Sequence, residues 1–313
     1  MKDAAHRSFR RARVKTATVV MLWGFGLVWS PVRAVGQCCG DCNADGRVTV
    51  DELVGVVDRA LRGCSDDGIC DASVAKCADD AVVAGTVCMD TYEASVWRVP
   101  NPTTTNASLV KKIQQGKASM ADLTGGGATQ LGTDGDDYAP CKNNGQNCAN
   151  DIYAVSLAGV TPAAYISWFQ AQEACANARK RLPTSAEWQV AANGTPDAGP
   201  DNGTTDCNTA STSEVSLTGS RSSCVSARGA FDMVGNLWEA VADWVPRSTG
   251  CPGWGSFSDD LMCLAGADAA ALGPGALGRG GNFLDRTDAG VFAVFGLADP
   301  TGSIDRVGFR CAR

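Results

Sequence analysis

The first apolar run, Thr16 to Trp29, follows a head carrying Lys2, Arg7, Arg10, Arg11, Arg13 and Lys15. A basic head, an apolar stretch short for a membrane span, and the small-residue pattern Val32-Arg33-Ala34 predict a secretory signal over residues 1–34. No membrane span is expected once it is removed. Further on, Val50, Leu53, Val54, Val57 and Leu61 recur at helical spacing and stop at Arg62-Gly63. The alternation in Thr86–Glu93 predicts a strand. Pro162 opens a helical stripe of Ala164, Trp168, Ala171, Cys175 and Ala178, which should end before Pro183. Thr184 and Glu187 form a capping box for another helix, ending near Asn193-Gly194, and the Trp residues of both helices are read as core. Val291–Phe295 predicts a core strand. Residues 101–150, rich in Thr, Gly, Asn and Asp, read as a long insertion.

Charge and cysteine content narrow the function. Residues 1–34 hold seven of the 27 Lys and Arg and one of the 34 Asp and Glu, leaving 20 against 33, about −13. Nucleic acid is not an expected partner, because binding it requires a positive footprint. All 15 cysteines lie beyond the signal, which predicts a disulfide framework and a secreted, periplasmic or cell-surface location. Proximity in sequence suggests Cys141 with Cys148, Cys207 with Cys224, and Cys251 with Cys263; the odd count leaves one thiol over, with Cys38 a possible lipid site. The single histidine, His6, belongs to the signal, so residues 35–313 have no imidazole for a catalytic triad, a histidine zinc site or a histidine-bound iron.

Residues 35–64 form a small module. Asp41, Asn43 and Asp45 supply side-chain oxygens, Gly46 the sharp turn, Arg47 its carbonyl, Thr49 a water-bridged position and Glu52 a closing bidentate carboxylate. This stretch resembles a single dockerin-type or EF-hand-like calcium repeat. No second repeat follows, and residues 65–85, with Cys64 just before them and Cys70 and Cys77 within, read as a cysteine-containing linker.

In Phe231–Trp244, Asp232 and Glu239 bracket a Gly-Asn turn among large apolar residues. Charge in such a setting needs a partner. Two carboxylates and turn carbonyls make an oxygen cage suited to calcium, and an ion pair with a nearby Arg serves equally.

The segments YISWFQAQEACANARKRLPTSAEWQVAANG (165–194), GAFDMVGNLWEAVADW (229–244), GRGGNF (278–283) and VGFRCAR (307–313) together resemble the formylglycine-generating enzyme, or sulfatase-modifying factor, family. The resemblance spans most of residues 86–313. It implies an irregular α+β fold of the C-type-lectin-like kind and calcium held by Asp232, Gly235, Leu237 and Glu239. It further implies a second calcium position near Asn208 and the Thr209 carbonyl, and a disulfide joining Cys175 to Cys311. The family's oxidases bind copper through two cysteines just after the GG motif. Asp285 and Gly290 stand there, and no cysteine lies between Cys263 and Cys311, so copper is not expected.

The fold is then expected to act as a binding scaffold for an extracellular protein or glycan. In the resembling architecture, which includes the variable proteins of diversity-generating retroelements, the ligand face lies between GG and GFR. Here that is residues 282–305, with Asn282, Asp285, Arg286, Thr287 and Asp288 as polar candidates. The alternative is an oxidase of protein thiols using displaced cysteines such as Cys251 and Cys263. Free thiols at that pair would favour it, and a disulfide would count against it.

Overall fold

The computed structural model describes residues 77–196 and 201–313. The signal, the calcium-loop module with Asp41, Asn43, Asp45, Arg47, Thr49 and Glu52, and most of the linker lie outside these residues. Three small sheets and four short helices make up the described part. A hairpin of β1 (Ala81–Ala84) and β2 (Val87–Asp90) turns at Gly85, whose φ of 64° suits glycine. Thus β1 begins inside the stretch read as linker, and Cys77–Cys88 staples that entry to β2.

A second sheet has the order β4-β3-β5, with β3 at Ala94–Arg98, β4 at Thr129–Leu131 and β5 at Ile152–Ser156. The insertion is therefore part of the fold. It contributes β4, helix α1 (Ala107–Gln114) and helix α2 (Met120–Gly125), whose Leu109, Ile113 and Leu123 pack against Trp97 and Tyr153.

Helix α3 (Trp168–Asn177) starts later than Pro162 suggests. Ser167 is its cap: the hydroxyl accepts from Gln170 N, and the Gln170 side chain accepts from Ser167 N. Tyr165, at φ 53°, stands in a left-handed turn, so residues 162–166 cannot join the helix. Helix α4 (Ser185–Ala192) has the expected Thr184–Glu187 box, and Glu187 also grips Arg181 with two bonds of 2.7 Å.

The largest sheet has the order β10-β6-β8-β9-β7. Its strands are β6 (Trp238–Val245), β7 (Met262–Cys263), β8 (Gly275–Arg279), β9 (Val294–Ala298) and β10 (Val307–Phe309). The strand foreseen at Val291 begins at Val294 instead, because Val291 and Phe292 form a turn. β10 pairs parallel to β6, setting Gly308 beside Glu239. On the other side of β6, Glu239 faces Arg279 of β8. Trp188, Met89, Val241 and Ala312 share one core cluster, while Phe309, Leu182, Cys175 and Cys311 share another. Each such fully buried large apolar side chain is worth roughly 1.5–3 kcal/mol.

Candidate functional site

Two regions hold the residues singled out by the sequence. The first is a buried polar centre under β6. Asp232, at φ 57°, Gly235, at 73°, and Asn236, at 57°, bend the chain sharply before the strand. A Cβ at Gly235 would strike the Asn208 carbonyl, so this close approach requires glycine. Asn236 then reaches three ways. Its Nδ2 donates to Glu93 Oε2 at 2.5 Å, and its Oδ1 accepts from Ser216 N at 2.7 Å and Asn208 Nδ2 at 3.1 Å.

Glu239 accepts from Arg310 Nε at 2.7 Å and from Trp188 Nε1 at 2.7 Å. Arg310 is wholly buried and also donates to the carbonyls of Phe231, at 2.7 Å, and Asp90, at 3.1 Å. The arginine open to Glu239 in the sequence is thus Arg310. A calcium ion drawing on Glu239 would share its oxygens with Arg310 and Trp188. Asp232 accepts from Gly219 N at 2.7 Å, while Gly235 N donates to the Gly280 carbonyl and Leu237 N to Glu93 Oε1. At the second expected calcium position, the Asn208 carbonyl accepts from Asn236 N and that of Thr209 from Arg286 N. Among the described residues no group of three or more His, Cys, Asp or Glu is arranged to hold a metal ion.

Glu93 was not foreseen: it lies 143 residues from Asn236, and no local pattern marks it. Burial, reinforced by the charges of Asp232 and Glu239, holds its carboxyl well above the usual carboxylate range. Burial likewise lifts Asp232 to about 6, although the Gly219 N–H and Arg310 pull it down. The centre thus sets three carboxylates against the Arg310 guanidinium, with the buried Arg221 adding a further pull on Asp232.

The second region follows the GG motif. Asn282 is buried and folded onto its own turn: its N and Nδ2 donate to Asp285 Oδ2, and its Oδ1 accepts from Leu284 N. Asp285 is partly buried, with its carboxyl raised by that burial against the two Asn282 bonds. Arg286, Thr287 and Asp288 form an exposed 3-10 turn. At Gly290, the other position where the resembling oxidases carry copper cysteines, a side chain could enter only by displacing that of Asp260. A Cβ there would collide with the carboxylate of Asp260, whose Oδ2 accepts from Phe292 N at 2.6 Å. Asp260 is 2% exposed and comes from the loop between Cys251 and Cys263, which are joined at 2.02 Å. Disulfides also join Cys141 to Cys148, Cys175 to Cys311 and Cys207 to Cys224. Behind the GG motif, Arg279 stacks on the Trp188 ring at 4.8 Å and donates to Gln189 and the Val291 carbonyl. Burial draws its guanidinium down to about 10.

These short strands, capped helices and long ordered loops define a C-type-lectin-like α+β domain. Residues 103–313 match the model of the sulfatase-modifying factor enzyme 1-like domain, and the chain belongs to that family. No curated protein matches the chain. Among solved structures it is similar to a Major Tropism Determinant M1 variant, at 17% identity and a TM-score of 0.40 over 74% of this chain and 51% of that one. It is also similar to PvdO from Pseudomonas aeruginosa, at 18% identity and a TM-score of 0.38 over 78% of this chain and 88% of that one. Treponema denticola variable protein 1 is similar at 18% identity and a TM-score of 0.29, over 48% of this chain and 70% of that one. The chain thus spans about half the length of the Major Tropism Determinant variant it matches. No helix of the described residues is long and apolar enough to cross a membrane, and the five disulfides among them fit an extracellular or periplasmic protein.

Proposed function

We propose that this chain is an exported, non-catalytic binding protein of the sulfatase-modifying factor family. The observation that carries the reading is the space beside Gly290. A carboxylate fills the volume that a metal-binding side chain at that position would need. The Cys251–Cys263 disulfide adds support, since the pair most open to an oxidase role is tied up in a structural loop. Calcium enters the proposal twice: in the loop from Asp41 to Glu52, and at Asp232, Gly235, Leu237 and Glu239, where it would share Glu239 with Arg310.

Incubation of the folded protein with copper(I), oxygen and a cysteine-containing sulfatase-motif peptide, read by mass spectrometry, tests the reading. An unchanged peptide is expected. Conversion of its cysteine to an aldehyde would overturn the non-catalytic reading in favour of an oxidase using other cysteines.

A further inference from the structure

The loop from Cys251 to Cys263 carries a feature that the proposed binding function does not yet use. Phe257 is 65% exposed, yet it is held on two sides: its ring lies 5.9 Å from Trp254 and 4.9 Å from Phe292. Trp254 is fixed in turn by donating Nε1 to the Phe292 carbonyl at 3.2 Å. The disulfide closes the loop at its base, and Ser258 Oγ accepts from Asp260 N at 3.0 Å to set its far side. An exposed aromatic side chain that is already ordered loses little freedom on binding, so such rings serve as anchors in recognition surfaces.

The surroundings of these rings are acidic. Leu261 N donates to the Asp288 carbonyl at 2.9 Å, which brings the turn holding Asp288 beside the loop holding Asp259. Both of these aspartates are exposed. From Cys251 to Phe295 the chain has five Asp, two Arg and no Lys; with the buried Asp260 and Arg279 set aside, Asp259, Asp268 and Asp288 are exposed and Asp285 half-buried, against one exposed cation, Arg286. A π-face bordered by carboxylates attracts guanidinium and ammonium groups by ring quadrupole and by charge.

We propose that Trp254, Phe257 and Phe292, bordered by Asp259 and Asp288, form a docking site for a basic peptide segment of a partner protein. An arginine or lysine side chain of that segment lies on the Phe257 ring, with its charge toward the two aspartates. This places the ligand surface on the disulfide-closed loop as well as on the 3-10 turn, and it rests on the binding-protein reading given above.

The test is calorimetric titration of the full chain with a short arginine-serine repeat peptide, alongside its glutamine and glutamate counterparts. The arginine peptide alone is expected to bind, more weakly as salt rises. Phe257→Ala should weaken binding about tenfold, and Asp259→Asn with Asp288→Asn by a similar factor. Arg286→Ala, which removes the one exposed cation of the turn, should leave binding intact or tighten it. Phe257 is exposed enough that its loss leaves the fold in place, which circular dichroism and Trp fluorescence will verify. The proposal is overturned if no peptide binds, if the glutamine peptide binds equally, or if both variants bind the arginine peptide as tightly as the parent. That last result would reveal only diffuse attraction to an acidic surface. None of these outcomes touches the non-catalytic reading, which fails only if the copper-loaded protein oxidises a peptide cysteine.

Discussion

Replacing Arg310 by Met is the perturbation with the largest consequence expected from the buried centre. The guanidinium is wholly buried; it pairs with Glu239 and donates to the carbonyls of Asp90 and Phe231. Methionine fills much of the volume but leaves Glu239 without its ion-pair partner. Breaking one side of a buried pair costs about 3–5 kcal/mol, because the remaining charge stays desolvated. With a urea dependence of about 2–3 kcal/mol per molar, the unfolding midpoint should fall by roughly 1.5 M in calcium-free buffer, disulfides intact. Adding Glu239→Gln to the Arg310→Met chain should then recover at least about 1 kcal/mol, since it removes one stranded charge. A loss below about 1 kcal/mol for Arg310→Met, or no recovery in the double variant, would refute the idea that Arg310 neutralises this centre.

The same centre sets a pH trend. Glu93 and Asp232 are raised, so each favours the folded state most while protonated. That contribution is complete below about pH 4 and is lost as pH rises through about 6 for Asp232. Because Asp80, Asp122, Glu187, Asp201 and Asp299 are lowered and act oppositely at acid pH, the decline is read as the difference between parent and Asp232→Asn urea midpoints in EDTA, which should shift in favour of the variant from about pH 5 to 7, and less so with calcium bound at this centre. Removing Cys175–Cys311, at a sequence separation of 136, should cost about 5 kcal/mol, against about 2.5 kcal/mol for Cys141–Cys148 at a separation of 7; comparative melts of the Ser variants will rank them. Gly290→Ala should cost about 1–3 kcal/mol by forcing Asp260 aside, and much less when Asp260 is already Gly. A penalty unchanged in that background would contradict the packing described. On the proposed calcium reading of the loop that opens at Asp41, titration of the full chain should show a calcium site that Glu52→Gln sharply weakens.

Local chemistry was legible where neighbours in sequence are neighbours in space. The Thr184–Glu187 box and the end of α4 near Asn193 needed only a few residues of context. The start of α3 carried the same kind of signal, Ser167 followed by Gln170, but the proline at 162 is a stronger conventional marker and drew the boundary too early. At the site, Asp232 and Glu239 stood out because charge among tryptophans is anomalous. Glu93 did not, since Met89, Asp90 and Tyr92 around it give no hint that its carboxylate crosses to Asn236. Asp260 was equally hidden: a glycine is silent about what occupies the space next to it, and the contact at Gly290 spans two loops. The aromatic cluster joins Trp254 and Phe257 to Phe292, a pairing that only the closed loop reveals.

The lacing of residues 307–313 into the start of the domain has a consequence for biogenesis. Arg313 exchanges backbone bonds with Cys88 and holds Asp80 with its guanidinium, Cys311 bonds Asp90 and Cys175, and Arg310 completes the buried centre. Until these seven residues are in place, β6 lacks its parallel neighbour and Glu239 its ion-pair partner. In the exported protein proposed above, the large sheet therefore stays unfinished until this strand is in place. Until then Cys175 lacks Cys311, the cysteine it is joined to in the folded domain.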